Sequence, residues 1–420
     1  MSGRRRHIGG AERRARLAVG QRLAPAARAG SAEEVAGSLV ALHGTDPATV
    51  YLAVGARLRD ASKTVVDVER ALYADRSLVR MHGMRHTVFV FPAALAAVVH
   101  ASTGVAVAAR ERASFVKHLE AGSEHDAAWL ADVEAGTLAA IGARGEATAA
   151  ELAEDEPRLR TQLLYAPGKK YEAWQSISTR LLRVLGMEGR VVRGRPRGSW
   201  TSSQFRWAIM PAHAELPVAE AQSELLRRWL GSCGPATEAD LKWWTGWKVS
   251  DVRKALTAVG AVEVELDEGA GFVLPDAVEP VTADTGPWAA LLPGLDPSPM
   301  GWQQRDWYLP PELRAPLFDG AGNIGPTVWW DGRIAGGWAQ GKDGTVRWRL
   351  LADVGREAAT AVEAEAARLQ EWVGEARVTP RFRTPLEKEL AGPAAPAGPA
   401  GPAGPAAPTT PAGPAGPARE

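Results

Sequence analysis

Apolar residues recur three or four positions apart over most of the chain, and short alternating stretches interrupt them. Ser31 and Glu34 have the spacing of a capping box, and apolar residues follow at helical intervals. This pattern predicts a helix that ends at the sequence HGTDP. A second helix should begin there, with Asp46 as its N-cap and Pro47 at its first position. A third helix is predicted from about residue 62 to residue 74.

A β-hairpin is predicted next, because SLVRMHG and MRHTVFVFP read as two strands that turn near Gly83. Helices followed by a hairpin are typical of a winged helix. A second copy of this order has helices over residues 127–142 and in GEATAAELAE, a recognition helix in YEAWQSISTRLLRVLGMEG and a basic wing in VVRGRPRGSWTSS. A third copy comprises AEAQSELLRRWLGSCG, TEADLKWWTG and KVSDVRKALTAVG, followed by the acidic hairpin VEVELDEGAGFVLP.

From about Thr282 the pattern changes to alternating β-branched or aromatic and small residues between glycine turns. The stretches LLPGLDP, GNIGPTVWWDGRIAGGWAQ and TVRWRLL therefore predict a small antiparallel β domain, barrel-like in form. A closing helix is expected over residues 355–374. The Gly-Pro-Ala repeats from Ala391 contain no residue that could build a core, so we expect a disordered tail.

The predicted fold class is α+β and mainly α, with three tandem winged-helix modules, a small barrel-like antiparallel β domain and a disordered Pro/Gly/Ala tail. The expected boundaries are a basic N-terminal arm at 1–20, winged helices at 21–100, 101–212 and 213–281, the β domain with its closing helix at 282–380, and the tail at 391–420.

Charge is balanced over the 420 residues, with a formal net charge of zero, which argues against nucleic-acid binding by bulk charge alone. The distribution is uneven, however. One basic cluster, opposed only by Glu12, comprises Arg4, Arg5, Arg6, Arg13, Arg14, Arg16, Arg22 and Arg28; a second comprises Arg190, Arg193, Arg195, Arg197 and Arg206. Their placement on a predicted arm and wing favours DNA binding, and a merely solvated basic face is the alternative.

Several classes of site are excluded by the sequence. Cys233 is the single cysteine, so neither a disulfide framework nor a thiolate metal site is expected. GAGNIG at 320–325 is followed by Pro326 and a strand, which a dinucleotide loop does not allow. No HExxH motif, paired CxxC or GxSxG elbow occurs, and we predict no cofactor and no metal. The Arg-rich start lacks the apolar segment of a secretion signal, and no apolar run of membrane-spanning length was found, so a cytoplasmic protein is expected.

The break between the first two helices contains the candidate chemistry, since His43 could accept a proton near neutral pH with an unperturbed pKa. The structural alternative is a helix-to-helix turn in which His43 forms an interhelical hydrogen bond and Asp46 is a cap. By themselves, His82, Arg85 and His86 in the first hairpin are more often wing-surface or strand-face residues than ligands.

Four stretches of the chain resemble the AlkZ/YcaQ-like DNA glycosylases, in the same order over roughly residues 20–375. VALHGTDPATVYLAVGARL resembles that family's first module, in which a helix ends in Gln-x-Gln or Gln-x-Asp. RMHGMRHTVFVFP resembles its Arg-Gly-Thr-Leu-His hairpin, and GPATEADLKWWTGW its third-module signature. LLPGLDP together with PTVWWDGRIAGGW resembles its C-terminal β domain.

The resemblance implies a monofunctional DNA glycosylase that excises bulky alkylated purines, such as N7-alkylguanine adducts, in self-resistance to a DNA-alkylating natural product. It places the family's two active-site polar positions at His43 and Thr45, where neither family Gln is present, and Asp46 beside them as a third candidate catalytic residue. In the hairpin His86 is retained, whereas His82 and Met84 occupy the positions of the family's Arg and Thr.

The partner that the resemblance implies is double-stranded DNA carrying alkylated bases, with no membrane and no obligatory protein partner. The candidate DNA-binding residues are Arg80, His82, Arg85, His86, Arg193, Arg195 and Arg197.

Two other functions remain open from the sequence. Loss of both glutamines favours a non-catalytic winged-helix protein, either a regulator or a binder that shields damaged DNA, whereas the C-terminal β domain disfavours it. A drug-sequestering protein would use some of the 16 Trp residues as stacking surfaces. Most of these residues, including Trp243, Trp244, Trp329 and Trp330, are better interpreted as core.

Overall fold

The computed structural model describes residues 5–166, 168–170, 172–212, 214–281 and 285–392. Over these ranges the chain is a mixed α/β protein in which helices predominate and every strand ladder is antiparallel. Arg4 and the Gly-Pro-Ala tail, for which disorder was predicted, lie outside the described residues, except that the tail's first two positions, 391 and 392, are described.

The first unit follows the predicted order of helices and hairpin. Ser31 Oγ accepts a hydrogen bond from the Glu34 amide, as a capping residue should. The chain between the first two helices forms a short strand that pairs with the second strand of the hairpin. The elements are α2 (Ala32–Leu39), β1 (Leu42–His43), α3 (Pro47–Gly55), α4 (Thr64–Glu69, continued by a π-helical turn to Ala74), β2 (Leu78–His82) and β3 (Val88–Pro92), after the N-terminal helix α1 (Gly10–Gly20).

The second unit repeats this order with one insertion, and its hairpin is again joined by a short strand that follows the first helix. The predicted recognition helix is wrong in its first part. Residues Ala173–Ser176 form a strand that pairs with Gln162–Tyr165, and the helix begins only at Ile177. The elements, after the connecting helices α5 (Ala96–Val99) and α6 (Val105–Gly122), are α7 (Ala127–Arg144), β4 (Glu146–Ala147), α8 (Ala149–Asp155), β5 (Gln162–Tyr165), β6 (Ala173–Ser176), α9 (Ile177–Met187), β7 (Val191–Pro196) and β8 (Phe205–Ile209).

The third unit has α10 (Val218–Cys233), α11 (Glu238–Thr245), α12 (Val249–Ala258) and the hairpin β9 (Val262–Leu266)–β10 (Gly269–Val273). This acidic hairpin binds the N-terminal segment. The Ile8 amide donates to the Glu265 carbonyl at 2.8 Å, and Arg13, almost fully buried, pairs with Glu268. The expected N-terminal arm is therefore wrong for the described residues from 5 onward, because opposite charges hold this segment against the protein.

The elements of the C-terminal domain are β11 (Ala289–Leu292), α13 (Arg314–Leu317), β12 (Thr327–Trp330), β13 (Arg333–Gln340), β14 (Val346–Leu350), α14 (Gly355–Val373) and α15 (Pro385–Ala391). The strands form an open sheet in the order β11-β12-β13-β14, so the barrel-like form was a wrong expectation: β11 and β14 remain unpaired edges among the described strands. The closing helix α14 packs on this sheet as predicted, and the further short helix α15 packs on β13.

The units differ in whether they share an apolar core with the rest of the chain. One core combines the first unit with the C-terminal sheet, and Val50 and Val328 both belong to it. A second core combines the hairpin of the first unit with the third unit and the same sheet. The second unit has a core of its own, in which every buried side chain comes from between Phe115 and Trp207.

A fully buried ion pair fastens the first unit to the C-terminal domain. The Arg57 guanidinium donates to both carboxylate oxygens of Asp296, at 2.8 and 2.7 Å, and also to the Ser298 hydroxyl at 2.8 Å. Its remaining donors reach the carbonyls of Ala53 and Gln21. Both charges are thus completely hydrogen-bonded, as a buried pair requires.

The helical stretch Ala93–Gly122 is long and apolar enough to cross a membrane by length and composition alone, although His100, Ser102 and Thr103 interrupt its apolar residues. The core helix of a soluble protein meets the same criterion, so this stretch is weak grounds for a membrane span.

Candidate functional site

The turn from His43 to Asp46 is held against the first hairpin by backbone pairing. Leu42 pairs with Val90 and His43 with Phe89, and the Gly44 amide donates to the Val88 carbonyl at 2.8 Å. A Cβ at position 44 would lie only 3.2 Å from the Phe89 carbonyl carbon, so glycine permits this close approach. The sequence motif therefore begins as a two-residue edge strand at the hairpin and continues as a bend that leads into the next helix.

His43 lies in an apolar environment on one face of this sheet. Its ring meets the Phe89 ring edge-on at a centroid distance of 5.4 Å, and its Nδ1 atom is buried without a hydrogen-bond partner. Burial, with a smaller contribution from the positive charge of Arg85, lowers the pKa of His43 to about 4. The expected unperturbed pKa is therefore wrong, and the imidazole is neutral at pH 7. The expected interhelical hydrogen bond is also absent from its described contacts.

Asp46 is a buried cap whose two carboxylate oxygens are both in use. Oδ1 accepts from the Ala48 amide at 3.1 Å, and Oδ2 accepts from the Arg381 amide at 3.0 Å. Burial raises the pKa of Asp46, and these two hydrogen bonds oppose the rise. Thr45, between the two, is half-buried.

The predicted site residues lie on two opposite faces of the small sheet. Side chains of directly paired residues project from the same face, and neighbours along a strand alternate. Arg80 pairs with Val90, as Leu42 does, so its side chain shares their face. His43 projects from the other face with Phe89 and Met81. The structure thus separates the candidate base from Arg80, whose charge acts instead on Asp46.

Three arginines from distant parts of the chain lie close together on the Arg80 face, and we call them the arginine cluster: Arg80, Arg193 and Arg381. Arg80 is only 3% exposed, and its Nε and Nη2 atoms are buried without partners. Arg193 lies over the Phe205 ring at 4.3 Å. Burial, followed by the charges of Arg80 and Arg381, lowers the pKa of Arg193 to about 10.

The remaining hairpin residues differ in their surroundings. His82 packs against α9 near Gly186, and burial followed by the charges of Arg193 and Arg183 lowers its pKa to about 4. Arg85 and His86, at the tip, are exposed.

Each of the two tip residues contacts another unit. The Arg85 guanidinium lies 4.3 Å from the centre of the Trp243 ring in α11. The His86 Nδ1 atom lies 3.8 Å from a carboxylate oxygen of Glu111 in α6. The hairpin therefore contacts the second unit through His82, the third through Arg85 and the connecting helix through His86.

The basic wing is partly neutralised within the protein. Arg195 pairs with Glu69 at 3.0 Å and lies 4.9 Å from the centre of the Tyr73 ring, whereas the Arg197 side chain is exposed. Arg190, at the base of the wing, pairs with the buried Glu134 at 3.0 Å. The basic stretch is thus less free to attract DNA than its sequence indicates.

Sequence reasoning missed Arg381 and Trp243 as members of this region. Arg381 lies after the last predicted helix, in a stretch with no periodicity, and no local signal marks the contact of its amide with Asp46. Trp243 was interpreted as core, and it is partly exposed between Arg85 and Arg305. Tandem tryptophans on a capped helix give no indication of which one faces outward.

Comparison with known proteins gives a consistent result. The family model described as DNA glycosylase AlkZ-like matches residues 36–372. The chain is 30% identical over 224 residues to a protein of Streptomyces sahachiroi named interstrand DNA cross-link repair glycosylase, covering 50% of this chain and 57% of that protein. The chain thus matches little more than half the length of this curated relative. The solved structure of Streptomyces sahachiroi DNA glycosylase AlkZ has a similar fold, with a TM-score of 0.64 at 23% identity, over 89% of this chain and 98% of that one.

Proposed function

Because the chain belongs to the AlkZ-like DNA glycosylase family, we propose that it hydrolyses the N-glycosidic bond of bulky alkylated purines, in particular N7-alkylguanine, in duplex DNA. The observation that most supports this is the pairing of β1 with β3. It holds His43 in a short edge strand and Thr45 in the bend that follows, the two positions at which the resemblance places the family's active-site residues.

The fold supports three tandem winged helices. Each unit has three helices followed by a hairpin, and in each the chain after the first helix pairs with the second strand of that hairpin. This pairing is β1 with β3, β4 with β8, and the Ala236–Phe272 bridge to β10. Helix, strand, two helices and a hairpin in this order are the winged-helix arrangement.

The reaction needs little acid catalysis from the protein. Alkylation at N7 makes the purine cationic, so it leaves as a neutral base when it takes the electrons of the bond from C1′. Water attacks C1′ of the oxocarbenium-like sugar, a new C1′–O bond forms, and the proton of that water must be accepted. His43 is the proposed acceptor, since its lowered pKa keeps the imidazole neutral at physiological pH.

Thr45 and Asp46 have supporting roles in this proposal. Thr45 is half-buried next to His43 and would share the water through its hydroxyl. Asp46 fixes the turn, because its oxygens are occupied by the amides of Ala48 and Arg381. Its charge would act on the sugar cation only through the field, and not by direct contact.

The proposed partner is double-stranded DNA, approached by the exposed Arg85, His86 and Arg197. A bulky adduct is the proposed lesion class, and self-resistance of a producer of alkylating compounds is the proposed setting, in the cytoplasm. The name of the Streptomyces sahachiroi relative indicates that an interstrand cross-link should be tested beside a monoadduct.

The test is base release from a duplex that carries one N7-alkylguanine adduct, with mass spectrometry of the freed base under single-turnover conditions. The His43→Ala protein serves as the matched control, after its melting temperature is shown to equal that of the wild type. We expect the wild type to release the base and the His43→Ala protein to release none. Tight binding of the adducted duplex with no release would overturn the proposal.

A damage-shielding binder is the second candidate function. It is favoured by the full engagement of Asp46 in backbone hydrogen bonds and by the absence of the family's glutamines at positions 43 and 45. The same assay decides between the two, because a shielding protein binds the adducted duplex and frees no base.

A further inference from the structure

A cavity of about 150 Å³ lies between the first hairpin and the wing of the second unit. This is well above the roughly 10–15 Å³ that a single water molecule needs. Its walls are mostly apolar, formed by Leu72, Leu78, Val79, Val192, Ala208 and Met210 among others. Arg80 and Arg193 both line it, together with Tyr73, Arg76 and Glu146.

Arg80 is a buried cation without the partners that a buried cation requires. Two of its guanidinium nitrogens, Nε and Nη2, are buried and unbonded, and no ion pair forms with it among the described residues. Arg57, also fully buried, shows the contrast, because all of its donors are used by Asp296, Ser298 and carbonyl groups. A buried charge left unpaired destabilises a fold, so its presence indicates a ligand.

Arg193 adds a second cation at the same cavity. Its Nε atom is also buried without a partner. The charges of Arg80 and Arg381 both lower the pKa of Arg193, so the three guanidinium groups repel one another across a poorly solvated space. Glu146 is the carboxylate in the lining, and the described structure shows no ion pair between it and either arginine. An anion of fitting shape would relieve this repulsion.

We propose that this cavity binds one phosphate group of the DNA backbone, held by the guanidinium groups of Arg80 and Arg193. Guanidinium forks match phosphate oxygens in a bidentate manner, and such bonds are strongest where water is excluded. This inference rests on the proposed function, since it names a DNA contact of the same region.

The order of the strands gives the position of the cavity relative to the candidate catalytic turn. Arg80 is in β2 and His43 is in β1, with β3 between them. At about 4.8 Å per strand spacing, the two backbones are ~10 Å apart. Their side chains project from opposite faces of this sheet, so the bound phosphate would belong to a part of the DNA backbone separate from the nucleotide presented to His43.

The test replaces single phosphates of a duplex by neutral methylphosphonates, one position at a time, and measures binding by the full-length protein. Undamaged and adducted duplexes are used in parallel, so the result does not depend on base release. We expect one position at which the substitution weakens wild-type binding by roughly 10- to 100-fold, the range of a charge-assisted hydrogen bond.

Variants of the two arginines test whether the phosphate at that position binds in the cavity. Arg80→Met should weaken binding of the unmodified duplex by a similar factor, lower the slope of log affinity against log salt by about one unit, and lose its sensitivity at the same phosphonate. Arg193→Met should have the same three effects. Arg349→Met, on the C-terminal sheet, is the control and should retain the sensitivity.

The outcomes separate the alternatives. Equal phosphonate sensitivity in the wild type and Arg80→Met would overturn the proposal. The proposal would also fail if inorganic phosphate raised the melting temperature while no phosphonate position weakened DNA binding. The cavity would then bind a free anion and not the DNA backbone. If Arg80→Met does not fold, Arg80→Lys and Arg193→Met complete the comparison. If the phosphonate effect is present and no base is released, the cavity assignment stands and the glycosylase proposal fails.

Discussion

His43 and His82 lie on the two faces of one small sheet, and the pKa of each imidazole is strongly lowered. Burial is the main cause in each case, and it lowers both pKa values to about 4. The positive charge of a neighbouring arginine lowers each pKa further, Arg85 for His43 and Arg193 for His82. Both imidazoles are therefore neutral at pH 7, and each gives a separate prediction.

His43→Ala should abolish base release while affinity for adducted DNA remains close to that of the wild type, because general base catalysis contributes ~10²- to 10⁴-fold. The wild-type rate should stay level from pH 8 down to about 5 and fall towards pH 4, where the imidazole becomes protonated. Single-turnover base release across this pH range measures both effects.

His43→Gln is the matched variant, since it restores the residue type of the family's motif and has no titration in this range. Its base release should continue, without the fall towards pH 4. A folded His43→Ala protein that frees the base at the wild-type rate would remove His43 from the mechanism. Thr45→Ala should have the milder effect.

His82→Gln should make stability less dependent on pH. The unfolded chain binds a proton at His82 near pH 6.5, whereas the folded protein does so only near pH 4. The free energy of unfolding should therefore fall as the pH drops from 6.5 to 4, by at most roughly 3 kcal/mol for this residue. Denaturant unfolding at several pH values should show a shallower fall in the variant, and an identical fall would contradict the lowered pKa.

Local signals in the sequence predicted the capping roles of Ser31 and Asp46 correctly, because a cap depends on residues within one helical turn. The same signals said nothing of the second hydrogen bond of Asp46, to Arg381. That bond needs two chain segments to meet in space, and it is what makes Asp46 an anchor of the turn. The pKa of His43 was mispredicted for the same reason, since its burial comes from the hairpin and the packing around it.

At the scale of elements, the wing β7–β8 differs most from its predicted behaviour. Sequence reasoning treated Arg193, Arg195 and Arg197 as equivalent phosphate contacts. In the structure the first lines a cavity, the second pairs with Glu69 and the third is exposed. Their effects on DNA binding should therefore differ.

Arg197→Ala should lower the slope of log affinity against log salt by about 0.9 and weaken binding for every sequence, as loss of one phosphate contact does. Arg195→Ala should have a smaller effect, because Glu69 already neutralises part of its charge. Titrations at 50 to 200 mM salt, with Arg349→Ala as the control, measure these slopes. Equal slopes for Arg197→Ala and the wild type would show that the wing faces away from DNA.

Long amphipathic helices were predicted well, since α7, α10 and α14 bury one stripe at helical intervals. Short elements were not. The strand β6 was interpreted as the start of α9, because nothing within Ala173–Ser176 opposes a helix until its pairing with β5 is known. The helix α15 has seven residues and is too short to be stable alone, so it depends on packing against β13.

At the scale of the whole molecule, the predicted boundaries do not all separate independent cores. The range 21–100 shares its core with the C-terminal sheet, through Val50 and Val328 among others, and is fastened there by Arg57 and Asp296. The range 101–212 contains a core of its own. Sequence patterns assign elements to repeats, but they do not reveal which repeats share buried surface.

The second unit should therefore fold alone, and the first should not. A fragment of residues 101–212 is expected to show a cooperative thermal transition and dispersed amide resonances, whereas a fragment of residues 21–100 should remain unfolded. The two fragments contain the same kinds of element. They differ in that the 101–212 fragment has a core of its own, whereas the core of the 21–100 fragment is shared with the C-terminal sheet. A folded 21–100 fragment would show that the shared core is dispensable.

The bond between Asp46 and Arg381 spans 335 residues, and this separation has a consequence during synthesis. At ~5–20 residues per second, a ribosome needs roughly 20–70 s to travel from one to the other. Throughout that time the nascent chain already contains His43, Thr45 and Asp46 but lacks the amide that completes the turn. A chain released by an early stop before residue 381 would have the same defect. Competence on DNA should thus arrive only after residue 381 has been synthesised.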